Sequence, residues 1–155
     1  MYARILVPLD GSDLAERALP HAAEIAKNAG SEIILLQAVT PFASMLGQAS
    51  ANEAAVTESL LTSTRQQHEG LMAIAREYLT KQATDLAAKG VKARAEVVEG
   101  SPANAILEYA QANEVGLIAM STHGRSGLGR AVFGSVADAV LRNSGLPVLL
   151  IRSKG

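Results

Sequence analysis

Val115-Gly116-Leu117-Ile118-Ala119-Met120 runs directly into Ser121-Thr122-His123-Gly124-Arg125-Ser126-Gly127-Leu128-Gly129-Arg130-Ala131-Val132-Phe133-Gly134-Ser135. The first six residues are apolar and read as a buried strand, while Val136 to Leu141 read as a helix. Four glycines and two arginines separate them. Glycine lets backbone N–H groups approach a ligand closely, and a helix N-terminus favours negative charge. Two readings are open: a cradle for phosphate, or a flexible, solvated loop.

Outward from this stretch the same alternation repeats. Downstream, Pro147 to Arg152 is another apolar strand. At the start of the chain, Arg4-Ile5-Leu6-Val7-Pro8-Leu9 suits a strand covered on both faces, as in a parallel sheet. Pro8 cannot donate a ladder bond, so regular pairing should fade at the carboxyl end. Asp10-Gly11-Ser12-Asp13 is a turn, and Asp13 with Glu16 has N-cap spacing. Leu14, Ala18, Ala22, Ile25 and Ala26 mark one helical face, Pro20 should kink it, and Gly30 should stop it. Ile33 to Val39 is the second strand. Residues 41 to about 52 read as the least structured part, a surface loop or a lid with Phe42 to Leu46 exposed.

About Ala54 to Lys89 reads as helix, with Leu60, Leu61, Leu71, Ile74, Ala75, Tyr78, Leu79 and Leu86 as its stripe and Gly70 as a break. Val91 to Glu99 alternates apolar and charged residues, the mark of a sheet edge. Ser101 and Pro102 supply the N-cap and first residue of a helix that turns Ile106, Leu107 and Ala110 inward. The order β-α-β-α-β-α-β-α-β, with no composition break, predicts one doubly wound α/β domain over residues 1–155.

Composition narrows the function. With 48% hydrophobic and 19% charged residues, the 155-residue chain fits a soluble globular domain with a core of Ala, Val, Ile and Leu. A net charge of −1 gives no reason to expect nucleic acid or an anionic membrane as partner. No apolar run approaches the roughly 20 residues that span a bilayer, and Met1 to Val7 lacks the features of a signal peptide. The chain has no cysteine, which rules out disulfides and thiolate metal sites and is compatible with a cytoplasmic location.

Ligands of open α/β sheets sit beyond the carboxyl ends of the strands, where the strand order reverses. With the first strand central, Asp10 meets the glycine loop there, placed to accept a ribose hydroxyl or hold a hydrated cation. The alternative for Asp10 is an Asx turn with Gly11. No Walker-type Gly-x-x-x-x-Gly-Lys-Ser/Thr is present, and the first strand-to-helix turn lacks the dinucleotide Gly-x-Gly-x-x-Gly. Ser135 with Asp138 has capping spacing, so Ser135 caps the last helix, bonds phosphate, or does both. Arg125 and Arg130 either neutralise phosphate or lie in solvent. His123, with no His or acidic neighbour in sequence, reads as a turn residue. A Ser12-His123-Asp10 hydrolase lacks the Gly-x-Ser-x-Gly elbow. No metal-ligand spacing appears.

The chain resembles the universal stress protein family along nearly its whole length. The resemblance is carried by Ile5-Leu6-Val7-Pro8-Leu9-Asp10-Gly11-Ser12, Gly100-Ser101-Pro102, Ser121 to Leu128, Phe133-Gly134-Ser135-Val136-Ala137 and Pro147-Val148-Leu149-Leu150-Ile151. The ATP-binding branch of that family carries Gly, two residues, Gly, nine residues, then Gly-Ser or Gly-Thr. Here Gly124 is the second glycine, nine residues follow, and Gly134-Ser135 closes the motif; Ser121 replaces the first glycine. The resemblance implies a five-stranded parallel sheet of order 3-2-1-4-5 with helices on both faces. It implies that the backbone near Ala38 reads adenine, that Pro8 and Asp10 border adenine and ribose, and that Met120 and Ser121 lie along the ribose. The amides of Gly124, Arg125, Ser126 and Gly127, with Gly134, Ser135 and Val136, would hold the phosphates. The Ser121 Cβ crowds the ribose, or its hydroxyl bonds to it. A nucleotide-associated Mg2+ would use Asp10, or phosphates and water alone.

Pro147 to Ile151 forms an apolar edge strand in that order. Antiparallel pairing across a two-fold would cover it, and the resemblance implies the same homodimer. The leading expectation is an ATP-binding regulatory module in stress response, acting on an unidentified protein partner. Two others stand beside it. One is a slow ATPase or self-phosphorylating protein with Ser121, Ser126 or Ser135 as acceptor and only Asp10 and His123 as bases; the other is a nucleotide-free interaction protein.

Overall fold

A computed structural model describes residues 1–123 and 134–153. Five strands, β1 (Arg4–Pro8), β2 (Glu32–Val39), β3 (Ala93–Glu99), β4 (Leu117–His123) and β5 (Val148–Ser153), form one parallel sheet of order β3-β2-β1-β4-β5. The helices are α1 (Asp13–Glu16), α2 (Ala18–Ala29), α3 (Phe42–Ala49), α4 (Glu58–Ala88), α5 (Pro102–Ala112) and α6 (Ser135–Asn143). This is the doubly wound α/β fold expected from the strand and helix order.

The period of two in the strands sorts the core into two layers. Ile5, Val7, Ile33, Leu35, Leu117 and Ala119 pack with α2 and α4. Leu6, Ile34, Leu36, Ile118 and Met120 face the other way and pack with α5 and α6. Ile5, Leu6, Ile33, Ile34, Leu35 and Ile118 are fully buried, which explains why the central strands read as unbroken apolar runs. Burial of each such side chain contributes about 1.5–3 kcal/mol. In α2 the alanines Ala18, Ala22 and Ala26 form the buried face, so that helix lies close to the sheet.

The first predicted helix is divided in two ahead of Pro20. The sequence predicts a kink at Pro20; the structure breaks the helix earlier, with Arg17 between α1 and α2. Pro20 thereby falls in the first turn of α2, where its missing N–H leaves no helical bond unmade. The cap of α1 is Ser12, not Asp13, because the Ser12 hydroxyl accepts the Ala15 N–H at 3.2 Å. Gly30 ends α2 in the left-handed conformation at φ 69°, as expected.

Residues 42–49 depart from the loop expectation and form α3. Phe42, Met45 and Leu46 recur at helical spacing, and these half-buried residues give α3 its packed side against α4. Phe42 N–H donates to Glu99 Oε1 at 3.3 Å, and its ring meets His68 edge-on with centroids 6.0 Å apart. Arg65 lies 5.7 Å from the same ring.

The long helix α4 starts at Glu58, with Thr57 accepting the Leu60 N–H, and runs unbroken through Gly70. Thr64, Ala75, Leu79 and Leu86 are its buried residues. Leu71 and Ile74, assigned to the stripe from sequence, are 43% and 68% exposed. Nothing lies within 4 Å of a Cβ built on Gly70. Gly70→Ala should therefore stabilise the protein by about 0.5–1 kcal/mol, read as a higher urea midpoint at unchanged m-value.

β3 lies at the edge predicted for it but begins at Ala93 rather than Val91, which is buried just outside. β4 is longer than its apolar core suggests and takes in Ser121, Thr122 and His123, paired with Ile151, Arg152 and Ser153 of β5. His123 is thus an exposed strand end rather than a turn residue. Among the described residues no helix is long and apolar enough to cross a membrane.

Candidate functional site

The sheet changes direction between β1 and β4. From β1 the chain winds outward through β2 to β3, then returns across to β4 and β5. β1 pairs with β2 as far as Pro8 and Leu36, but with β4 only at Ile5–Leu117 and Leu6–Ile118. Pro8 has no N–H to offer, and the β1–β4 ladder ends before it is reached. The fading predicted for Pro8 is therefore seen on the β4 side. A crevice opens where a doubly wound sheet reverses its order.

That crevice is a cleft of about 170 Å3 lined by Pro8, Leu9, Asp10, Ala15, Leu36, Ala38, Pro102, Ile106, Met120, Ser121 and Val136. Six residues singled out from sequence, Pro8, Asp10, Ala38, Met120, Ser121 and Val136, come together on its walls. Of the others, Leu9 and Leu36 were read as strand residues, Pro102 as a helix start and Ile106 as core, while Ala15 was not singled out. Topology was the signal for Ala15 and Pro102: in a parallel sheet every strand-to-helix connection opens at the same end. No residue of 41–52 lines the cleft, so that segment, expected as a loop or lid, packs on α4 instead.

Asp10 sits in the β1–α1 turn. The Ser12 N–H and hydroxyl both donate to its Oδ1, at 2.9 and 2.5 Å, with Gly11 at φ 86°. The Asx turn and the cleft position thus coexist, because one carboxylate oxygen makes the turn. Across the turn, Tyr78 donates to Glu16 Oε1 at 2.8 Å and Gln82 donates to the same oxygen at 3.1 Å, tying α1 to α4. Burial, then the Glu16 carboxylate that accepts its hydroxyl, raises the Tyr78 phenol well above its ordinary value.

The folded chain therefore keeps the Tyr78 proton after the unfolded chain releases its own near pH 10. This contribution is complete below pH 10 and is lost as pH rises above it. Tyr78→Phe should show a shallower fall in stability between pH 9 and 11 than the wild type, read from urea unfolding at each pH.

At the far side of the cleft, Gly134 is the N-cap of α6 and donates its N–H to Thr122 Oγ1 at 3.1 Å. Thr122 is 4% exposed, so this bond anchors the start of α6 to the end of β4. Ser135 is the first residue of the helix and makes no side-chain cap, which corrects the capping expectation. The first-turn amides of α6 have no intrahelical partner and carry the positive end of the helix dipole. Gly124, Arg125, Ser126 and Gly127, the proposed phosphate contacts, and Arg130 lie outside the described residues.

The family model described as universal stress protein family matches residues 1–152. The chain belongs to the universal stress protein family. Universal stress protein MJ0531 of Methanocaldococcus jannaschii is 36% identical over 154 residues, covering 98% of this chain and 83% of that protein. The solved structure of MJ0577, reported as a structure-based assignment of biochemical function, superposes with a TM-score of 0.78 at 27% identity, covering 100% of this chain and 99% of that one. A universal stress family protein of Arabidopsis thaliana, solved with AMP bound, shares the fold with a TM-score of 0.62 at 16% identity, covering 99% of this chain and 93% of that one.

Proposed function

We propose that this universal stress protein is an ATP-binding regulatory module whose nucleotide occupies the cleft between β1 and β4. The observation that carries the reading is the convergence of Pro8, Asp10, Ala38, Met120, Ser121 and Val136 on one cleft beside the N-terminus of α6. Its chemistry suits a nucleotide. Pro8, Leu36, Ala38, Pro102, Ile106 and Met120 give apolar walls for a flat base. Asp10 offers a carboxylate oxygen outside its turn to a sugar hydroxyl. The amides of Ser135 and Val136 face no helical acceptor and suit phosphate.

When bound, ATP supplies its charged phosphates, and the protein's part is to hold them and respond. Gly124, Arg125, Ser126 and Gly127 would complete the phosphate contacts by the family motif. Among the described residues no group of three or more His, Cys, Asp or Glu could hold a metal ion. Mg2+ would therefore arrive on the phosphates, with Asp10 as the carboxylate lining the cleft. The Arabidopsis relative, built on the same fold, holds AMP. β5 lies at the sheet edge with half-buried Val148, Leu149, Leu150 and Ile151, which supports an isologous dimer through that strand.

Equilibrium titration of the purified protein with ATP, AMP and GTP, each with Mg2+, tests the reading. ATP should bind in the micromolar to millimolar range and ahead of GTP. No binding of ATP at millimolar concentration would sink it.

A further inference from the structure

Outside the cleft, three elements meet on one carboxylate. Glu99, the last residue of β3, accepts the N–H of Phe42, the first residue of α3, on Oε1 at 3.3 Å. The same oxygen stands 2.5 Å from Nε2 of His68 on α4. The His68 side chain is 14% exposed, and its Nε2 makes no aligned hydrogen bond among the described residues. The His68 ring meets Phe42 edge-on, and the Arg65 guanidinium lies over the Phe42 ring.

This junction sits where β2 and β3 leave the sheet. Val39 and Glu99 are the last pair of their ladder, and the Gly100 N–H donates to the Val39 carbonyl at 3.0 Å. Beyond that bond the chains part. One runs from Ala38, a cleft residue, through Val39 and Thr40 to Pro41 and Phe42; the other runs from Glu99 through Gly100 and Ser101 to Pro102, also a cleft residue. Proline fixes φ at Pro41 and Pro102, where α3 and α5 begin. Gly100, at φ 146°, is the permissive joint between them. A contact made by a carboxylate that is 46% exposed adds little stability. Its effect is geometric, because one oxygen ties the joint to two helices.

We propose that Glu99 is a positioning residue for the cleft: its carboxylate holds the Gly100 bend against α3 and α4 and so sets the spacing of the Ala38 and Pro102 walls that receive the base. The inference rests on the nucleotide reading above and adds to it a residue that neither lines the cleft nor belongs to the glycine motif.

The test compares Glu99→Ala and Glu99→Gln with the wild type, as full chains, by amide NMR without ligand and by calorimetric titration with ATP and Mg2+. Gln keeps an oxygen for the Phe42 N–H and a group of the same shape beside His68; Ala keeps neither. In Glu99→Ala, ligand-free shift changes should pass beyond α3 to Ala38 and Ala103, and ATP should bind about fivefold more weakly. Glu99→Gln should restore affinity to within about twofold of the wild type. Shift changes confined to α3 and His68, or wild-type ATP affinity in Glu99→Ala, overturn the proposal. So does a Glu99→Gln variant that binds as weakly as Glu99→Ala. Leu86→Val separates positioning from a general loss of stability, since Leu86 is buried at the opposite end of α4, beside the start of β3. It should lower the urea midpoint yet keep ATP affinity within about twofold; a loss matching that of Glu99→Ala also overturns the proposal. Failure of the wild type to bind ATP overturns the nucleotide reading instead, and the ligand-free shifts still decide whether Glu99 positions the walls.

Discussion

Ala38→Trp should abolish ATP binding while leaving the protein folded. Ala38 is half-buried near the end of β2 and lines the cleft. An indole at this position takes up much of a space of about 170 Å3 that the base needs. The expected loss is about 100-fold or more in affinity, equivalent to about 2.7 kcal/mol, measured by calorimetric titration. Overpacking at a sheet position costs about 1–3 kcal/mol of stability, so Val136→Trp provides a second blocking variant. Val136 enters the cleft from α6 and is not part of the sheet. Full-strength ATP binding by both folded variants would place the nucleotide elsewhere.

Leu79→Ala should be among the most destabilising truncations on α4. Leu79 is fully buried in the layer that joins α4 to α2 and the sheet. Removing it leaves a cavity that long, packed elements cannot easily close, at a cost of about 2–5 kcal/mol. Ile74→Ala, five residues away on the same helix, should change stability by no more than about 0.5 kcal/mol, because Ile74 is 68% exposed. Urea unfolding of the two variants checks both values. From sequence the two residues look alike, so the contrast tests the observed orientation of α4.

That contrast shows what periodicity cannot carry. The central strands were legible because Ile5 to Val7 and Ile33 to Leu36 are buried on both faces and leave no polar residue in the run. Their order followed from family resemblance, and the crevice then followed from topology. α4 was legible as a helix but not in rotation. Over 31 residues it packs only intermittently, and a polar Thr64 is buried while Leu71 is exposed. α3 was missed because Gly47 and the small residues around it suggest a loop, whereas Phe42, Met45 and Leu46 find a surface on α4 that local sequence does not reveal.

At the site, residue identities were legible but their local bonding was not. For Asp10 the sequence set an Asx turn against a place in the cleft, and the structure holds both, because one carboxylate oxygen makes the turn. The capping roles moved by one position, from Asp13 to Ser12 and from Ser135 to Gly134. Each spacing fits two neighbouring polar or small residues, and only backbone angles choose between them. Ser121 looked like the first residue of a loop, yet β5 extends β4 through it by pairing as far as His123. A partner strand distant in sequence sets that limit.

Amide NMR of the isotopically labelled protein during titration with ATP and Mg2+ tests the central claim most directly, since one experiment reports both binding and place. The largest shift changes should fall on Asp10, Ala38, Met120, Ser121, Ser135 and Val136, at the carboxyl end of the sheet. Unmoved resonances at these residues with millimolar ATP, or changes centred on Glu32, Lys92 and Glu114 at the opposite end, would contradict it.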